Sequence, residues 1–206
     1  MQTPAATRVF AITVLVLIGG GARGEDVRVL PIAVHVVHVD GSPVVPRSFV
    51  DQQLERANAI FTPYGVRFAE PSAPPPLAAR HAALETREDR DALGAHAAPG
   101  VIHCFVVRSL RDVDDPTQMR RGVHWHAPDS HFVILSSSAG LNVLAHELGH
   151  FLGNPAHSQT PGNLMSYLPG PGLPVLDGKQ LRKLERAVRG YLARKELRAL
   201  DHWRAR

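Results

Sequence analysis

Residues 146–157 read His-Glu-Leu-Gly-His-Phe-Leu-Gly-Asn-Pro-Ala-His, placing three imidazoles and one carboxylate within twelve positions. On a helix, residues four apart rise about 6 Å and turn about 40° beyond a full circle. His146 and His150 then project side by side, and their nitrogens can converge on one divalent ion at about 2.0–2.1 Å. Glu147 points to the flank of that pair. It is not expected to be a ligand, but it can reach a water beside the ion, which is the place of a general base. The bare pair also fits a helix with two surface histidines. Three downstream features weigh against that alternative. Gly153 can take a positive φ, end the helix and turn the chain back. Pro155 biases Asn154 to an extended conformation just before His157. After a short polar turn comes Asn163-Leu164-Met165-Ser166-Tyr167.

The elements that must position these groups follow from hydrophobic spacing. Val27–Val39 reads as a buried strand closed by Gly41-Ser42-Pro43. Phe49, Val50, Leu54, Ala57 and Phe61 line one side of a helix with Ser48 as its N-cap, closed by Pro63 and Gly65. Val66–Ala69 is a short strand, and Pro71–Pro76 a stiff loop. Ala78–Ala98 suggests a partial surface helix. Val101–Val107 is a strand that buries Cys104. Gly122–Ala127 and His131–Ser136 are two more, split by Pro128-Asp129. The histidine helix should begin near Ala139 under a Ser137 or Ser138 cap, with Leu141, Leu144, Ala145, Leu148, Phe151 and Leu152 facing the core.

Residues 146–167 resemble the metzincin clan of zinc endopeptidases, which carry a long histidine motif and then a methionine-containing turn beneath the metal. Specific motifs cover about two dozen residues; elsewhere the similarity is one of layout. The resemblance implies an α+β fold: a twisted mixed sheet, an active-site helix and a backing helix. A small C-terminal part after Gly153 would end in a helix over 180–200. It makes His146, His150 and His157 ligands of one catalytic Zn²⁺ and Glu147 the base. Gly153 becomes the turn residue, Met165 the packing base under the ligands, and Tyr167 a group reaching the zinc or the oxyanion. One departure stands out. The clan's third histidine usually falls three residues after the glycine, where this chain has Ala156. A loop absorbs one extra residue by a bulge more easily than a helix does.

The function so implied is zinc-dependent hydrolysis of peptide bonds in an extended peptide or protein substrate. Gly122–Ala127 is the expected edge strand that would hold it by main-chain hydrogen bonds. Its His124-Trp125-His126 reads as cleft wall or exposed strand, with a second metal site as the alternative. His35, His38, His81, His96, His103 and His131 show no complete ligand set and read as structural or surface residues. Two rival site readings are a zinc-binding module without proteolytic activity and a different zinc protease with Glu185 as third ligand.

Composition bounds the rest. The chain has 206 residues, 44% of them hydrophobic and 20% charged, which fits one globular domain rather than a disordered chain. With one cysteine there can be no internal disulfide. The formal charge of +4 is uneven: Lys179–Arg206 holds ten basic and three acidic residues. Leu181, Leu184, Val188, Tyr191 and Leu192 recur there at helical spacing, so a docked helix with a solvated basic face is favoured over a polyanion-binding module. Residues 1–24 read as a secretory signal: Arg8 is followed by the apolar run Val9–Ile18 and the small residues Gly19–Ala22. The mature domain, 25–206, is expected to be a secreted or periplasmic monomer with no nucleic-acid partner and no stable membrane span.

Overall fold

In the computed structural model, residues 27–200 are described; the expected signal, residues 1–24, and the last residues of the basic segment lie outside them. In chain order the elements are β1 (Arg28–Val36), β2 (His38–Val39), β3 (Ser42–Pro43), α1 (Arg47–Phe61), β4 (Val66–Ala69), β5 (Ala83–Leu84) and α2 (Arg87–Asp91). There follow β6 (Ile102–Val107), β7 (Ser109–Leu110), β8 (Gly122–Ala127), β9 (Ser130–Ser136), α3 (Val143–Phe151) and α4 (Gly178–Ala193). The fold is α+β. A five-stranded sheet has the order β4-β1-β6-β9-β8. Its pairings are parallel except for β8, which runs antiparallel to β9 at the edge.

The apolar strands bury both faces of this sheet. One face packs Leu30, Ile32, Cys104, Val106, Val133 and Leu135 against α1, α3 and α4. The other packs Phe105, Val107, Phe132 and Ile134 against Leu77, Leu84, Leu93 and Leu110. The alternation of β6 thus serves two cores, as expected of a strand with no solvated side. Cys104 is buried, and desolvation raises its thiol pKa far above the ordinary range. No helix among the described residues is long and apolar enough to cross a membrane.

Four local expectations are corrected. Pro46, extended at φ −69 and ψ 158, occupies the N-cap position of helix α1 with no side-chain cap, so Ser48 lies within the first turn. Residues 78–98 are not one surface helix but two 3₁₀ turns, a short strand and α2, with His81, Leu84, Arg90 and Leu93 buried. Strand β5 fixes that segment by pairing with β7. Helix α3 begins at Val143, not near Ala139. Ser136 and Ser138 hydrogen-bond each other through their hydroxyls, so Ser138 supplies no cap, and Leu141 is 53% exposed.

The cap of α3 instead comes from α1. Gln53 accepts from the Leu144 N–H at 3.1 Å and donates to the Gly140 carbonyl at 3.0 Å. A neutral amide thereby satisfies both an orphan helix N–H and the carbonyl of the preceding turn. The last correction concerns α4. Its start is an Asp177/Gln180 capping box, and it ends at Ala193 rather than continuing to 200. Lys195 takes φ 59, and the chain returns to bridge Leu197 to Gly100.

Candidate metal centre

Helix α3 carries His146, Glu147 and His150 over the sheet. The His146 and His150 ring centroids are 4.8 Å apart. Gly153 takes φ +91 and ends the helix beside α4. A Cβ there would lie 3.2 Å from the Ala187 Cβ and 3.3 Å from the Lys183 carbonyl oxygen. The position therefore requires glycine for both backbone and space. The returning loop bends at Ala156. It brings His157 Nε2 within 3.2 Å of His150 Nε2. One ring nitrogen from each of His146, His150 and His157 lies within 4.8 Å of the others.

The outer nitrogens fix how these rings present themselves. His146 Nδ1 lies 2.8 Å from the Leu164 carbonyl oxygen, and His150 Nδ1 2.8 Å from that of Asn154. A carbonyl can only accept, so each Nδ1 donates its proton and each Nε2 keeps a lone pair. His146 Nε2 is buried and has no hydrogen-bond partner. Such an orphan costs free energy unless something occupies it. Desolvation lowers the pKa of all three imidazoles, His150 to about 4, so they are neutral near pH 7 as metal ligation requires. The three histidines therefore fit a divalent ion.

Glu147 is 7% exposed. Burial pushes its carboxyl up to about 7, opposed by the backbone N–H of His124 and the positive charge of Arg120. Space for it comes from Gly122 on β8. A Cβ there would stand 2.5 Å from Val143 Cγ1 and 3.0 Å from Glu147 Cγ. Tyr167 is 71% exposed, yet its hydroxyl lies 2.9 Å from His157 Nε2. Met165 is fully buried. Its turn is braced by Asn163, whose Oδ1 accepts from the Met165 N–H and whose amide exchanges two hydrogen bonds with Gln180 of α4.

Two hollows flank the trio. One, ≈ 560 Å³, is lined by Arg56, Asn142, His146 and Leu168; the other, ≈ 800 Å³, by Trp125, His150, His157 and Tyr191. They share Arg120, Gly122, Glu147 and Tyr167, so the space runs past the candidate ligands beside edge strand β8. Glu185 is exposed on α4 and is not grouped with the trio.

Sequence reasoning missed several members of this region. Gly122, Gly149, Asn163 and Gln180 have no signature beyond residue type, although the three-residue Asp177-to-Gln180 spacing is that of a capping box. His131, read as lacking a ligand set, gathers with His124 and His126 into a second trio whose ring nitrogens also lie within 4.8 Å of one another. Strands split by Pro128-Asp129 already place His126 opposite His131, and that was the available signal. No protein-family model matches the chain, and no curated protein matches it.

Proposed function

We propose that the protein is a secreted zinc-dependent endopeptidase of the metzincin type. The observation that carries this reading is His146 Nε2, a buried and unpartnered lone pair grouped with nitrogens of His150 and His157. Zinc held by three neutral imidazoles would supply a double positive charge that polarises a scissile carbonyl and acidifies water.

The chain's own groups do the rest. A Glu147 carboxylate oxygen takes the proton of the attacking water and passes it to the leaving nitrogen. Its burial beside Gly122 and the hydrogen bond it accepts from the His124 backbone N–H hold the carboxylate in one position for both transfers. The Tyr167 hydroxyl, beside the trio, donates to the oxyanion that develops on the carbonyl. The outer edge of β8 has main-chain groups free of strand pairing, which align an extended peptide as an added strand.

The test is the Glu147→Gln variant, assayed for zinc content and for cleavage of a peptide library beside the unaltered protein. The expected result is unchanged zinc with cleavage reduced at least ~100-fold, in line with losing a positioned general base. Full cleavage by the variant, or no cleavage by the zinc-loaded unaltered protein, would overturn the reading.

A further inference from the structure

We propose a second divalent-cation site, separate from the first, formed by His124, His126 and His131 at the tip of the β8–β9 hairpin. His124 and His126 are two residues apart on β8, so they project from the same face. His131 faces His126 directly across the antiparallel ladder. The tight Pro128-Asp129 connection holds that register.

The rings already converge. His124 Nε2 lies 2.9 Å from His131 Nδ1, and the His124 and His126 centroids are 4.4 Å apart. Tetrahedral coordination at about 2.0–2.1 Å separates neighbouring ligand nitrogens by roughly 3.3 Å. The close pair thus needs to open by only a few tenths of an ångström to admit an ion. Phe151, the last residue of α3, supports the cluster by stacking on His131 at 4.2 Å and packing on His124 at 5.4 Å. Asp129 lines the hollow that His126 and His131 also face; Glu196 lines it as well, but its carboxylate is paired with Arg194. Imidazole donors with an open corner suit zinc better than calcium or magnesium, which prefer oxygen ligands.

The ion's role is to reinforce the end of the edge strand where β8 meets β9. Strand β8 pairs on one side only; besides β9, its tip is held by Trp125, whose Nε1 donates to Asp91 at 2.7 Å. The same strand directs the His124 backbone N–H at Glu147. An ion bridging β8 to β9 there holds the strand that borders the first trio.

The test is metal stoichiometry on the full chain, stripped with chelator and titrated with zinc. The unaltered protein, His126→Ala, His126→Gln and His150→Ala are compared. Both His126 variants are expected to bind one equivalent fewer than the unaltered protein. With chelator present their thermal midpoints should match it; with zinc present they should fall below it. His126 is exposed, so its replacement tests metal binding rather than packing. If both His126 variants bind as much zinc as the unaltered protein, the second site is refuted. Loss of an equivalent in His126→Ala with none lost in His150→Ala would uphold this site and overturn the first one.

Discussion

The sulfur of Met165 occupies the space that a side chain on Gly149 would need: a Cβ there would stand 2.5 Å from Met165 Sδ. Gly149 lies between His146 and His150 in sequence, so the methionine packs against the turn of helix that carries both rings. Glycine in a helix interior normally costs stability relative to alanine. Here the exchange should run the other way. Gly149→Ala must displace Met165 or lift α3, with an expected loss of ~1–3 kcal/mol in denaturant unfolding. Zinc affinity should fall with it. Adding Met165→Ala removes the overlapping sulfur, so the double variant should be less destabilised than the sum of the single ones. Strict additivity would mean that the two residues do not oppose each other.

The start of α3 gives a second prediction. Gln53 is 2% exposed and serves two backbone groups of another element. Gln53→Leu keeps comparable bulk but leaves the Leu144 N–H and Gly140 carbonyl without that partner. Unsatisfied buried groups cost ~1–3 kcal/mol each, so chemical denaturation should show a loss of at least ~1 kcal/mol. Because α3 carries the histidines, zinc affinity should drop as well. Unchanged stability would show that this contact does not hold the helix start.

These two relationships mark how far the sequence was legible. Interactions within one element, or with the next turn, could be read: the apolar run of β6, the one-turn spacing of His146 and His150, and the positive φ at Gly153. The return of His157 is a loop property, and the loop after Gly153 brings it beside His150. What could not be read depends on distant partners. The α3 cap comes from a glutamine 91 residues earlier, and no local pattern reports it. Residues 78–98 owe their broken conformation to β7 and to a second core on the far sheet face. Their alanine content favours helix only when that packing is ignored. The end of α4 was misplaced for the same reason, since Leu197 pairs with Gly100 across the fold.

A third prediction concerns acid. His35 and His103 are buried, with His35 Nε2 2.9 Å from His103 Nδ1. His103 Nε2 faces the Ala98 carbonyl at 2.9 Å, so it donates there and His35 donates to His103. Burial first, then the nearby charges of His103 and His96, lowers His35 from 6.5 to about 4. The unfolded chain therefore binds a proton below 6.5 that the folded chain refuses. The contribution of His35 to stability is constant above that value, declines as pH falls, and levels off below about 4. His35→Gln, which keeps a neutral donor, should flatten the stability profile across this window in urea titrations. An unchanged slope would assign the acid sensitivity to other histidines.

Tyr167 separates chemistry from folding most cleanly. Its ring is largely exposed, and its hydroxyl has the single partner His157 Nε2 at 2.9 Å. Removing that oxygen leaves the ring's stacking on His146 and its tilted packing on His157, with centroids at 5.4 and 4.6 Å, in place. Exposed substitutions of this kind change stability by about 0.5 kcal/mol or less. Tyr167→Phe should therefore fold and bind zinc as the unaltered protein does. If the hydroxyl stabilises the oxyanion, kcat should fall ~10- to 100-fold with little change in KM, because the interaction strengthens only in the transition state. A rise in KM at constant kcat would make Tyr167 a substrate-binding group. Loss of zinc with loss of activity would make its hydroxyl part of the metal site itself.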